Sequence, residues 1–248
     1  MIGIRNLPPV FLKARLDLTN KMINDLPVLH IGHHQGALVI REYVYANNKR
    51  MVKQYSANGE KGKVLYKLHQ QRCELIDRKN NLKSILSGYP DVPELNIRKV
   101  RSCYDKSFWE NVRLRADIEE VNYNYEYNGI RMCSRTEVVI AQNLDALGLQ
   151  FKYEPLLIIG DEFYYPDFIV YLPELHRCFF IEFLGRLDDK KYCVKNGLKI
   201  GDYLYGGMIV DKDLLLLCGT KLRMPTSEEI AAGISSVIGN LCRDYRTV

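Results

Sequence analysis

The stretch EFYYPDFIVYLPELHRCFFIEFL, residues 162–184, decides the fold. Two runs rich in β-branched and aromatic residues, 162–172 and 177–184, flank the short connection PELH, residues 173–176. That layout predicts an antiparallel hairpin. If the hairpin is symmetric about the Glu174–Leu175 bond, residues equidistant from that bond face each other. Asp167 and Glu182 are such a pair. Their Cβ atoms would then lie ~4.5–5.5 Å apart on one face of the ladder. Like charges directly opposite destabilise a sheet, so folding alone gives no reason for the pair. A divalent cation between them relieves the repulsion. Hard cations such as Mg²⁺ take a few carboxylates together with water and substrate phosphate oxygens.

Working outward, the pattern predicts a helix over 136–147, a strand over 151–158, the hairpin, a helix over 189–205 and a short strand over 213–218. A last helix opens at Ser227. Gly206 and Gly207 are read as the cap that ends the second of these helices. The back half therefore reads α-β-β-β-α-β-α. In the first helix Glu137 shares a face with Ile140, Ala141 and Leu144. Two readings of it stand side by side. Ser134 to Glu137 fits a capping box. Followed by two carboxylates on strands, Glu137 also reads as a third metal-side carboxylate.

Glu137 on a helix, Pro166-Asp167 on a strand and Glu182 on the next strand resemble the PD-(D/E)xK nuclease superfamily over about residues 130–220. The runs SRTEVVIAQNLDALGLQFKYEP, YYPDFIVY and FIEFLGRLDDKKY further resemble the nuclease-like domain of some DNA helicases and phage proteins. The resemblance implies an α/β fold with a restriction-endonuclease-like αβββαβ core. It implies a metal-dependent nuclease, endo- or exo-acting, with DNA rather than RNA as the polymer and Mg²⁺ or Mn²⁺ as cofactor. The metal would be held by Glu137, Asp167, Glu182 and the backbone carbonyl of Phe183. Glu154 is also matched, and is otherwise read as an edge-strand surface residue. One position departs from the motif: a lysine is expected two residues after the glutamate, and Leu184 stands there. Such a cation stabilises charge on the phosphate and helps place the attacking water. Lys199 is the first candidate to replace it, the last of the stripe Lys191, Lys195 and Lys199. Arg135 and Lys152 are weaker ones.

The front half reads differently. A β-hairpin is predicted over 36–56, turning at Asn47, Asn48 and Lys49, and an amphipathic helix over 62–86. Residues 1–35 read as irregular, interrupted by Pro8, Pro9 and Pro27. His30, His33 and His34 there lack partners at metal-ligand spacing and read as loop residues. The proline-rich stretch 87–96 is the linker candidate, giving a basic region over 1–95 and a nuclease-like domain over 96–248. Ser107 is read as the cap of a short helix that follows.

Charge supports the division. Residues 1–100 carry 17 Lys and Arg against 8 Asp and Glu, and the remainder carries 18 against 22. A basic front suits a polyanion. Arg41, Lys49, Arg50, Lys53, Lys63, Lys67 and Arg72 are the expected nucleic-acid phosphate contacts, with Tyr43, Tyr45, Tyr55 and Tyr66 interleaved. The seven cysteines form no CxxC pair, which argues against a zinc ribbon or a disulfide framework and leaves most as small buried groups. No apolar run approaches the ~20 residues of a membrane span, and the N-terminus lacks the layout of a signal peptide. A cytoplasmic location is the expectation, and a homodimer is compatible with cutting both strands. The alternative to a nuclease is a catalytically decayed nuclease fold that binds nucleic acid or serves as an adaptor.

Overall fold

The computed structural model describes residues 2–46, 49–97, 102–116 and 123–245. The chain divides into two compact units. One comprises residues 1–11 with 92–248, and the other residues 12–91. The boundary falls inside the proline-rich stretch, at 91/92 rather than 95/96. The first eleven residues belong with the back unit because Asn6 and Pro8 pack on its last helix, where Ser235 Oγ donates to the Asn6 carbonyl at 2.7 Å.

In the front unit, residues expected to be irregular form a helix, α1 (Pro9–Asp25), and a strand, β1 (Leu29–His34). Pro9 is the first helical residue. Its missing N–H is one that a helix start leaves unbonded anyway, so the proline opens the helix instead of breaking it. The histidines thus lie on a strand, not in a loop. The hairpin strands β2 (Ala37–Ala46) and β3 (Lys49–Ser56) add to β1 in the order β1-β2-β3. Asn47 and Asn48 of the expected turn lie outside the described residues. Helix α2 (Glu60–Leu86) follows. It starts hard against β3: a Cβ at Gly62 would lie 1.8 Å from the Ser56 carbonyl oxygen, so only glycine fits.

The back unit begins with the short helix α3 (Lys106–Asn111). Asp105, not Ser107, caps it by accepting from the Ser107 and Phe108 amides. A small hairpin, β4 (Tyr125–Tyr127) and β5 (Ile130–Met132), precedes α4 (Arg135–Ala146). The two long strands expected next are each interrupted. The first divides into β6 (Gln150–Tyr153) and β7 (Leu157–Ile159), the second into β8 (Glu162–Tyr164) and β9 (Phe168–Leu172). The breaks fall at Pro155 and Pro166, which lack the N–H a ladder needs. β7 and β8 therefore form a separate ribbon. β10 (Arg177–Leu184), α5 (Lys190–Tyr205), β11 (Leu214–Cys218) and α6 (Ser227–Arg243) complete the unit. Thr226 caps α6 through a capping box with Glu229.

The main sheet has the order β11-β10-β9-β6, with β10 antiparallel to β9 and parallel to β11. The fold is thus mixed α/β. One sheet face carries Ile169, Tyr171, Cys178, Phe180 and Leu214, packed with Tyr203 of α5 and with Phe108 and Trp109 of α3. On the other, Gly233 of α6 lies against Leu215 and Leu217. β9 and β10 bury almost every side chain on both faces, which explains their unbroken apolar runs. Of the seven cysteines only Cys178 and Cys242 are buried, while Cys73, Cys103 and Cys218 are exposed, so the expectation that most are core residues does not hold. No helix among the described residues is long and apolar enough to cross a membrane.

Candidate active site

The register of β9 and β10 places the site. Leu172 pairs with Arg177, and Phe168 with Ile181, which is the symmetric hairpin expected. The paired register ends there, one step short of Asp167 and Glu182, and its continuation would set those two residues across from each other. Asp167 Oδ2 accepts the Phe183 amide hydrogen at 2.6 Å, which fixes the carboxylate at the strand end. A Cβ at Gly185 would lie 2.6 Å from the Phe183 ring, so glycine there lets that ring fold back over the chain.

Both carboxyl groups resist ionisation. Burial, then the charges of Glu182 and Glu137, push the Asp167 carboxyl well above the usual carboxylate range; Lys199 and the Phe183 amide oppose the shift. Burial raises Glu182 as well, against the pull of Lys199. Lys199 Nζ donates to Glu182 Oε1 at 2.6 Å and to the Tyr165 carbonyl at 3.2 Å. One turn later on α5, the Tyr203 hydroxyl lies 3.4 Å from Glu182 Oε2. Helix α5 returns across the sheet to reach parallel β11, and that crossover lays Lys199 and Tyr203 over Glu182. The alternatives go elsewhere. Lys191 and Lys195 are exposed, Arg135 lies over the Tyr125 ring, and Lys152 donates to the Trp109 carbonyl.

Glu137 is buried, but not as a bare ligand. Its carboxylate accepts from the Cys133 amide (3.0 Å), the Ser134 hydroxyl (2.6 Å) and the Tyr153 hydroxyl (2.6 Å). Ser134 Oγ in turn accepts from the Glu137 amide, so the capping reading and the site reading are both partly met. Tyr153 pairs with Phe168 across the ladder, one residue from Asp167. Glu137 therefore supports the site through Tyr153 and acts on Asp167 by its charge. Among the described residues no three His, Cys, Asp or Glu side chains gather into a metal-holding cluster. Glu137, expected as a third ligand, here accepts from three donors, two on Oε2 and one on Oε1. What fits a divalent cation is narrower. It comprises Asp167 Oδ1, which has no hydrogen-bond partner among the described residues, with Glu182 and the Phe183 carbonyl.

Glu154 is no edge-strand surface residue. It is buried beside Asp167, its amide donates to the Asp167 carbonyl at 2.9 Å, and its carboxylate meets Arg115 at 3.6 Å and the Tyr123 hydroxyl. Tyr153 belongs to the Tyr-Glu strand of the resemblance, whereas Tyr203, Arg115 and Tyr123 are not marked by it. Only Tyr203 carried a signal, its spacing of four from Lys199.

In the front unit the expected phosphate contacts separate. Cross-strand pairing puts Arg41 with His30 and Gln54, and Lys53 with Glu42, so the two cations occupy opposite faces of the sheet. Arg50 lies 3.9 Å over the Tyr43 ring. Lys53, Lys63 and Lys67 are exposed. Arg72 is not available to a phosphate. It donates to the Ile23 and Leu26 carbonyls and caps the C-terminal end of α1. The side chains of Tyr45 and Lys49 lie outside the described residues.

Comparison with protein-family models, with curated proteins and with solved structures finds no match to the chain.

Proposed function

We propose that the chain is a metal-dependent endonuclease with a restriction-endonuclease-like αβββαβ core, hydrolysing phosphodiester bonds in DNA. The observation that carries this reading is a lysine from α5 meeting Glu182 beside Asp167, which supplies the cation missing at Leu184. Asp167, Glu182 and the Phe183 carbonyl would hold Mg²⁺ or Mn²⁺. When bound, such an ion polarises the phosphate and lowers the pKa of a coordinated water. The protein's own groups do the rest. Lys199 opposes the rise that burial imposes on Glu182 and would offer a positive charge to the developing phosphorane. The Phe183 amide fixes Asp167, and Glu137 with Tyr153 braces the strand end. Arg41, Arg50, Lys53, Lys63 and Lys67 would neutralise backbone phosphates.

The second reading, a decayed fold that binds nucleic acid, is favoured by one fact: Lys199 already neutralises Glu182 without a metal. Incubation of supercoiled plasmid with Mg²⁺ or Mn²⁺ separates the two, using the parent and Asp167→Asn. Nicking or linearisation by the parent alone supports the nuclease. With single-stranded DNA added as a second substrate, failure of both proteins to cut either one, together with retarded migration in a gel shift, supports the binding module.

A further inference from the structure

Beside Lys199 lies a groove of about 380 Å³, bounded by the β7–β8 ribbon on one side and α5 on the other. Its size is at the low end of the ~300–1,000 Å³ of small-ligand sites, which suits a single nucleotide. Phe163 and Leu198 form its apolar walls and are 64% and 69% exposed, so both faces are open to a ligand. The ribbon explains the first of them. Leu157 pairs with Tyr164 and turns inward, where the Tyr164 hydroxyl donates to Asp202 at 2.7 Å. Ile158 pairs with Phe163 and turns outward. Phe163 stacks on no other ring among the described residues. Lys195 adds an exposed positive charge on the α5 wall, and the Arg115 guanidinium lies 4.9 Å over the Tyr165 ring. Lys199 closes the groove at the Glu182 end.

An aromatic face, an aliphatic wall opposite and cations alongside match a flat ring carrying a phosphate. We propose that this groove binds the unpaired base of the nucleotide next to the scissile phosphate, stacked on Phe163, so that the preferred substrate is single-stranded or frayed nucleic acid. A base inside a duplex has both faces covered by its neighbours and cannot enter. The proposal rests on the nuclease reading for its place beside the reaction, but its binding claim is tested apart from cleavage.

The test measures binding by fluorescence anisotropy in EDTA, with labelled single-stranded DNA, single-stranded RNA and a closed hairpin duplex. The parent should bind a single strand more tightly than the duplex. Phe163→Ala should weaken single-strand binding about tenfold, the scale of one lost stacking contact, and leave duplex binding unchanged. Phe163→Trp should restore it, with indole fluorescence quenched on binding. Leu198→Ser, on the opposite wall, should also weaken it. The two single-strand arms show whether the sugar matters. Phe163→Ala binding both single strands as well as the parent does, or a parent that prefers the duplex, overturns the proposal. If the plasmid is cut while Phe163→Ala is neutral, the groove fails and the nuclease stands. If nothing is cut while Phe163→Ala loses single-strand binding, the nuclease reading fails and the groove stands.

Discussion

The two units handle charge in opposite ways. Residues 92–248 hold pairs with a buried member: Arg177 meets Asp213 at 2.9 Å and Asp244 at 3.1 Å, and Glu182 meets Lys199 at 2.6 Å. In residues 12–91 most charges stand in water on a thin three-stranded sheet and one long helix, and β3 leaves nearly every side chain exposed. A buried pair is strongly coupled, because removing one partner strands the other in a poor dielectric. A solvated charge is individually dispensable and acts only in sum. Chemistry at fixed atoms belongs to the first arrangement. Attraction to a polymer of repeating charge belongs to the second.

The sharpest way to break this contrast is at Lys199. Replacing it with methionine should lower metal-dependent plasmid cleavage about a hundredfold or more, since a preorganised charge at the reacting phosphate is lost. Lys199→Met, Glu182→Gln should recover thermal stability relative to Lys199→Met alone, but not activity. Calorimetry and plasmid nicking on the same preparations would show whether the two effects separate.

Next in size is a purely structural pair. Arg177→Met leaves Asp213 and Asp244 without their shared partner and should destabilise the back unit by about 3–5 kcal/mol in urea unfolding. A loss near zero would mean that these pairs are as loosely held as surface charges.

A smaller effect, opposite in sign, is expected at Asp167. Its carboxyl is raised in the folded protein, so its contribution is fully favourable below the ordinary value of 3.8 and is lost as pH rises through the raised folded value. Without metal, Asp167→Asn should therefore melt a few degrees higher than the parent at neutral pH. The gain should vanish only well below 3.8, at about pH 3, where the parent carboxyl is protonated folded or unfolded. Equal melting points at neutral pH would remove the case for a strained carboxylate pair.

The smallest expected change in folding lies in the front unit. Combined Arg50→Ala, Lys63→Ala and Lys67→Ala should alter stability by only about 0.5 kcal/mol. If these groups meet phosphates, the slope of log affinity against log salt should fall by about one for each contact removed. Arg72→Ala should do the reverse, loosening α1 while leaving the salt slope unchanged.

The hairpin over 162–184 is legible because its two sides are mostly apolar and its turn is short, leaving one symmetric register. Hydrophobic period and cap chemistry likewise placed α4, α5 and α6, since each is set by nearest neighbours in the chain. The N-terminal helix is hidden by its two adjacent prolines, which interrupt a helix interior but are compatible with a helix start. The interruptions at Pro155 and Pro166 were present in the sequence, but the apolar runs around them read as continuous strands.

The chain by itself determined which residue types occur and in what order: three carboxylates on successive elements, a missing lysine at Leu184, and a stripe of three lysines on the next helix. Tertiary structure decided which lysine meets Glu182, because only the crossover to β11 fixes the rotation of α5 and brings Lys199 and Tyr203 over Glu182. It likewise decided that Glu137 is satisfied by three donors, that Glu154 is buried against Arg115 and that Arg72 caps α1. These outcomes depend on groups distant in sequence meeting at atomic range. Local patterns carry no record of such meetings, since periodicity gives the face of an element and packing gives the neighbour that face finds.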